Sequence, residues 1–393
     1  MRSIEEDVRA ARLKALPKYL FEALAETRLQ KEADGQEVID LSIGNPDMGA
    51  PPAAMEALKL HMGDRRFHGY TPHFAVEGFN LAASEWMKKR FGVELDPGRE
   101  ILPLLGTKEG IANLPLAVLD PGDVALVPDP AYPVYSRGVW FAGGTVRSMP
   151  LREDSDYLAD IEMLRSLRPR MVYVNYPNNP TSAVANSGFY ADLVGVARET
   201  GAVAVNDAAY SEITFGEYES PSILAAPGAM EVAVEFHSFS KTFGMAGWRL
   251  GFAAGNRRVI GALGMLKSNI DSGVFGPILM AGVAVLEDGW EWHQRILEEY
   301  ETRRSLLFES LGACGIECHR SPATLYIWAR VPGGGGSMKF ARSLLEQTGI
   351  LVAPGIGFGE AGEGYFRISV TCPTEMVRKA AARMREVRQD WMN

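Results

Sequence analysis

The chain has 393 residues, 47% of them apolar and 23% charged, with a net charge of −9 and three cysteines. The length suits about two domains of ordinary size, and the composition is that of a globular chain able to bury a large core. The acidic balance argues against non-specific nucleic-acid binding, which needs a basic face, and so few cysteines build no disulfide framework.

The first stretch, MRSIEEDVRAARLKAL, is charged and amphipathic and lacks the continuous apolar centre of a secretion signal. No window approaches the ~18 uninterrupted apolar residues of a membrane span, so a cytoplasmic protein is expected. Residues 1–45 read as one helix, a linker at Gly35, and the start of VIDLSIGNPD. Further on, DVALVPDP (123–130), RMVYVNYPNNP (170–180), AVAVNDAAY (202–210) and VAVEFHSFS (232–240) are short Val-rich runs closed by turn residues. Such runs are apolar on both faces, as in a parallel sheet covered by helices. Helical spacing fills the gaps between them, as in SGFYADLVGVARETG, which Gly201 ends. The expected fold class is therefore α/β, with a mostly parallel sheet covered by helices. The tail differs. A long charged helix (EWHQRILEEYETRRSLLFESL) leads to short strands (TLYIWARV, GYFRISV), a GGGG loop and a final amphipathic helix (TEMVRKAAARMREVRQDW). We expect a large domain over 46–285 and a smaller α+β domain from 1–45 and 286–393.

In such sheets the ligand site lies beyond the carboxyl ends of the strands. The polar residues there are candidates by position. Lys241 closes an apolar run inside SFSKTFGMAG. A lone lysine is nearly always a surface amine, but a desolvated one beside another cation has a lowered pKa and can form a Schiff base with an aldehyde. Arg249 could be that cation, or it could bind a phosphate together with Ser238 and Ser240. Asp207 ends AVAVND, and a carboxylate there needs a partner: an arginine, or a protonated ring nitrogen. Tyr210 lies three residues on. Gly106, Thr107 and Lys108 form a turn ahead of a helix, where free N–H groups can hold an anion, although most such turns bind nothing. Asn179, in NYPNNPTS, reads first as a turn former. Arg367 sits in an apolar strand, which is costly without a partner. Its fork suits a carboxylate, either an internal acid or a substrate. Cys314, Cys318 and His319 cluster in CGIECH, but no second group of ligands accompanies them, so no metal is expected.

Taken in order, these pieces resemble the fold-type I pyridoxal-phosphate aminotransferases of class I and II, along essentially the whole chain. The resemblance implies pyridoxal 5′-phosphate as cofactor, held covalently by Lys241, which then moves the substrate proton. It implies Asp207 on the ring nitrogen, with Asn179 and Tyr210 on the ring oxygen and Tyr132 stacked on the ring. Gly106, Thr107, Lys108, Ser238, Ser240 and Arg249 would surround the phosphate. Arg367 would clamp the substrate carboxylate, with Gly44 closing over it. Tyr70 resembles a tyrosine lent to a neighbouring subunit's phosphate site, so a homodimer with shared active sites is implied.

Within the family, LKSNIDSGVFGP, EFHSFSKT and GFGEAGEGYFRIS are similar to the group acting on LL-diaminopimelate, and Tyr19, Lys108 and Asn269 fall where that group meets its substrate. This favours LL-diaminopimelate as donor and 2-oxoglutarate as acceptor. A broader alanine- or aspartate-type aminotransferase and a β-lyase remain as alternatives. A binding protein on the same fold would be expected to carry an added basic segment. Three departures stand out: Ser182 where the family has glycine, Asn206 where it has histidine, and Val76 with Phe79-Asn80 in the region after Tyr70.

Overall fold

All four Val-rich runs are strands, and they lie in one sheet. The computed structural model describes residues 8–14, 16 and 20–386, in which thirteen strands form three sheets. The two-residue β1 (Ile39–Asp40) comes first. The large sheet holds β2 (Ile101–Leu104), β3 (Val124–Asp129), β4 (Thr145–Pro150), β5 (Met171–Val174), β6 (Val203–Asp207), β7 (Ala233–Ser238) and β8 (Gly251–Gly255) in the order 2-8-7-6-5-3-4. Only β8 runs against the others, pairing antiparallel with both β2 and β7.

Alternation along these strands explains their composition. Val203 and Val205 point into one apolar layer, against the helices Thr107–Val118, Val134–Phe141 and Arg257–Ile270. Ala204 joins the opposite layer, against His73–Phe91, Ser187–Thr200 and Gly276–Asp288. With both faces covered, β6 has no polar face to show until its last residues, Asn206 and Asp207.

The smaller antiparallel sheet joins β9 (Cys318–His319), β10 (Tyr326–Arg330), β12 (Ala353–Pro354) and β13 (Tyr365–Ser369), in the order 12-13-10-9. The remaining strand, β11 (Ile350–Leu351), pairs in parallel with β1. This half has its own apolar cluster, in which Ile327, Phe366 and Ile368 meet the helices Trp290–Ala313, Ser337–Thr348 and Thr374–Glu386. The GGGG tract ends a short 3-10 turn, and the helix from Ser337 follows at once. No helix among the described residues is long and apolar enough to cross a membrane.

Candidate active site

The carboxyl ends of β2, β3, β5, β6 and β7, and the amino end of β8, share one edge of the large sheet. A cavity of about 480 Å³ opens there, roofed from the smaller sheet by Tyr326 and Arg367. Gly44, Thr107, Lys108, Tyr132, Asn179, Asp207, Tyr210, Ser238, Ser240, Lys241 and Arg249 all line it. A second cavity of about 440 Å³ lies behind Tyr132, lined largely by apolar side chains such as Val127, Trp140 and Phe358. The chemistry therefore belongs to the first.

Asp207 forms one end. It is 5% exposed and accepts hydrogen bonds from Tyr135 (2.8 Å) and from the Ala209 N–H (3.3 Å). Burial pushes its pKa up to about 6, although these bonds and the nearby His237 pull the other way. A carboxyl so placed is stabilised as an anion by any cation brought into the cavity. Tyr135 itself is fixed by stacking on Tyr173 of β5, with ring centroids 5.1 Å apart. Asn175, just past β5, ties the floor together. Its Nδ2 donates to the Asp207 carbonyl (2.6 Å) and its Oδ1 accepts from the Asn179 N–H (2.8 Å).

Lys241 stands in the one-turn helix Phe239–Thr242 directly after β7. Its Nζ is turned inward and donates to the Gly44 carbonyl. Burial, then the charges of Arg367 and Arg249, lower its pKa to about 8. At neutral pH an amine in such a place loses its proton far more easily than a surface lysine does.

The anion end is built from close contacts. Gly106 has φ +76°, and a Cβ on it would fall 2.3 Å from Arg249 Nη2, so only glycine lets the turn approach the guanidinium. Gly106 caps the twelve-residue helix Thr107–Val118 without a side-chain bond, leaving N–H groups at its start for a ligand. Ser238 and Ser240 face the same corner, where Ser238 Oγ accepts the Ser240 N–H (3.2 Å). Arg249 is itself left-handed (φ 57°) and is held by a bond from Nη1 to the Ala246 carbonyl (2.8 Å).

At the opposite wall Arg367, 1% exposed, donates to Asn179 Oδ1 and to the Ser42 carbonyl, both at 2.6 Å. Its guanidinium carbon lies 3.9 Å from the Tyr326 ring centroid and 4.7 Å from that of Phe358. A buried fork facing a cavity favours a carboxylate there. Lys108 reaches over the Tyr132 ring, its Nζ 5.9 Å from the centroid.

Two of the departures find an explanation. Ser182 keeps a glycine-like backbone (φ 64°) at a cost of about 1–3 kcal/mol. Its buried Oγ meets Thr324 Oγ1 (2.7 Å) and donates to the Tyr326 carbonyl (3.0 Å). Each bond contributes about 0.5–1.5 kcal/mol, enough to offset the strain. The turn carrying Asn179 is therefore kept. Asn206 points away from the cavity and donates to Glu235 (2.7 Å). Burial would raise the Glu235 pKa, but His237 and bonds from His237, Ser222 and Asn206 hold it low. The cavity is untouched by the change. Val76 and Phe79-Asn80 lie in the helix His73–Phe91, where Phe79 and Asn80 are buried.

Not every candidate comes together. Tyr70 is 85% exposed, Asn269 is exposed at the end of the helix Arg257–Ile270, and neither lines this cavity. Tyr19 lies outside the described residues. Sequence reading missed Tyr135 and Tyr326. Tyr135 lay one turn beyond Tyr132 in AYPVY, a spacing that could have flagged it. Tyr326 had no such signal.

The residues fit a pyridoxal phosphate: a buried carboxyl at one end, a glycine turn with a guanidinium at the other, and an inward lysine with lowered pKa between them. The model of the aminotransferase class I and II family matches residues 36–384. The chain is 46% identical over 380 residues to the LL-diaminopimelate aminotransferase of Natranaerobius thermophilus, covering 96% of this chain and 98% of that one. The enzyme of the same name from Aquifex aeolicus is 44% identical, with the same coverage. Among solved structures, substrate-bound BacF of Bacillus subtilis superposes with a TM-score of 0.93 at 32% identity, covering 97% of this chain and 98% of that one. A probable N-succinyldiaminopimelate aminotransferase of Thermus thermophilus superposes with a TM-score of 0.88 at 37% identity, covering 93% and 99%.

Proposed function

The chain belongs to the class I and II aminotransferases, a pyridoxal-phosphate family, and we propose that it moves an α-amino group from LL-diaminopimelate to 2-oxoglutarate. The observation that carries this reading is the placement of Lys241. Its amine, held near a pKa of about 8 by burial and by Arg367 and Arg249, shares one cavity with Asp207.

When bound, pyridoxal phosphate supplies an aldehyde for the amino group and a ring that draws electrons from the substrate α-carbon. Asp207 would hold the ring nitrogen protonated. Its pKa, pushed up by burial, would fall once it faced that positive charge. Asn179 and Tyr210 would donate to the ring oxygen and Tyr132 would cover one face. The 106–108 turn, Ser238, Ser240 and Arg249 would hold the phosphate. Arg367 would bind the α-carboxylate and so fix which bond at the α-carbon faces Lys241. Lys241 Nζ would take the α-proton and return it one atom away, a task suited to an amine whose pKa lies near the working pH.

The domain reading, 46–285 against the two terminal segments, is supported by the separate sheets and by the pairing of β1 with β11, which joins the two segments. We further read the protein as a cytoplasmic homodimer. Tyr70, Leu60, Met62, Phe74, Ile270 and Phe275 are all exposed, and Thr71 Oγ1 donates to the Val274 carbonyl (2.7 Å), bringing these segments together. An apolar face of that kind suits a second copy, to whose cavity Tyr70 and Asn269 would be lent. LL-diaminopimelate is favoured by the relatives and by the sequence likeness, with Lys108 near the far end of the substrate.

Comparing kcat/KM for LL-diaminopimelate, alanine, aspartate and glutamate tests the substrate. The expected result is a preference for LL-diaminopimelate of at least about tenfold, as charged contacts to its far end supply more than about 1.4 kcal/mol. Turnover of alanine with none of diaminopimelate would reject it.

A further inference from the structure

We propose that Tyr326 is a positioning residue that aims the Tyr210 hydroxyl into the cavity and backs the Arg367 fork, coupling the cofactor side of the site to the carboxylate side. This deepens the reading above and rests on it. The argument starts from Arg367, whose guanidinium can only donate. Because its Nη1 meets Asn179 Oδ1 (2.6 Å), the Asn179 amide must turn its Nδ2 the other way, toward the Tyr210 oxygen (3.4 Å). That oxygen therefore accepts. The Tyr326 hydroxyl lies 3.1 Å from it, and both tyrosines are buried.

An anionic oxygen in the cavity beside Tyr210 accepts a hydrogen bond from the Tyr210 hydroxyl, and Tyr326 must then donate to the Tyr210 oxygen. Hydrogen bonds in series strengthen one another. Tyr326 thereby makes Tyr210 a better donor, while Asn179 carries the position of Arg367 into the same chain.

The ring does the second task. The Arg367 carbon sits 3.9 Å above its centroid, so the ring fixes the plane of the fork. The main chain of Tyr326 is gripped in turn. Its N–H donates to Thr324 Oγ1 (3.1 Å) and its carbonyl accepts from Ser182. Thr324 and Ser182 are both left-handed (φ 67° and 64°). On the far side, a Cβ at Gly44 would fall 2.2 Å from the Tyr326 hydroxyl, so glycine alone lets the segment bonded to Lys241 come this close.

The test uses cofactor-loaded protein carrying Tyr326→Phe, Tyr210→Phe, both together, or Tyr326→Leu. Weaker donation leaves the cofactor's ring oxygen more basic, so the pH midpoint of the cofactor's absorbance change should rise. For Tyr326→Phe we expect a rise of about half a unit, roughly threefold in proton affinity, with KM for the amino acid within twofold of the parent (about the scatter of such values). Tyr210→Phe should raise the midpoint further, and the double variant should match Tyr210→Phe alone, because Tyr326 acts through Tyr210. Tyr326→Leu, which removes the ring, should raise KM about tenfold. A Tyr326→Phe midpoint equal to the parent's, or shifts that add in full in the double variant, would overturn the proposal. A parent protein with no cofactor absorbance would instead overturn the functional reading beneath it.

Discussion

Lys241→Ala should lower turnover by at least about 10⁴-fold, because one change removes both the nucleophile and the group that moves the proton. The fold should survive, since the side chain points into a cavity and is not part of an apolar layer. Steady-state kcat with circular dichroism of the same sample checks both points. The lowered pKa gives this prediction a pH signature. In the folded, cofactor-free protein the amine loses its proton near pH 8, against 10.5 for an ordinary lysine. The neutral fraction, and with it the rate of cofactor loading, should climb as pH rises through about 8. Between those two values the unfolded chain binds more protons than the folded one, so stability of the cofactor-free protein should increase with pH there. A variant turning over within tenfold of the parent would remove Lys241 from the chemistry.

Asp207→Asn should carry the second largest effect. The amide keeps the shape, and its oxygen can still accept from Tyr135. The charge is lost, together with the acceptor that faces the Ala209 N–H. Breaking one side of a buried charged pair costs about 3–5 kcal/mol, so kcat/KM should fall by about 10²- to nearly 10⁴-fold. Cofactor affinity, measured by fluorescence titration of the stripped protein, should fall in the same direction. The pH dependence should change too. Burial keeps the Asp207 pKa near 6 until a cation enters the cavity, so loading of the parent should weaken as pH drops through about 6, and the variant should lack that step. An Asp207→Asn protein with parental affinity would mean that the buried carboxyl serves the fold alone.

The sequence made much of this legible, for reasons tied to particular residues. β3, β5, β6 and β7 were readable because each is buried on both faces and so is a run of branched apolar residues ended by a turn. The ligand edge lies where those runs end, so position alone marked Asn179, Asp207, Ser238 and Lys241 as candidates. Three strands gave no such signal. β2 contains Pro103, β4 is a half-exposed edge, and β8 is the small-residue run GFAAG, in which nothing is β-branched. The reversed direction of β8 is what returns Arg249 to the active edge, and no spacing in the sequence reveals it.

Contacts across strands were hidden for the same kind of reason. Tyr326 meets Arg367 because β10 and β13 pair with Trp328 opposite Arg367, which sets Tyr326 on the same face, one diagonal step away. A slip of one residue would point it elsewhere. Tyr135 reaches Asp207 through a helix start and a strand end 72 positions apart. Ser182 was visible as a departure, but whether it altered the turn depended on Thr324 and Tyr326, more than 140 residues away.

The central claim is that Lys241 and its neighbours transfer an amino group and do not release it. The most direct measurement mixes cofactor-loaded protein with excess LL-diaminopimelate, and in parallel with L-cystathionine, with no acceptor, then follows oxo acid and free ammonia. The account predicts oxo acid equal to the cofactor present, no ammonia, and a halt until 2-oxoglutarate is added. No oxo acid from LL-diaminopimelate, with oxo acid and ammonia accumulating from L-cystathionine as its β-sulfur leaves, would contradict it and mark the protein as a lyase.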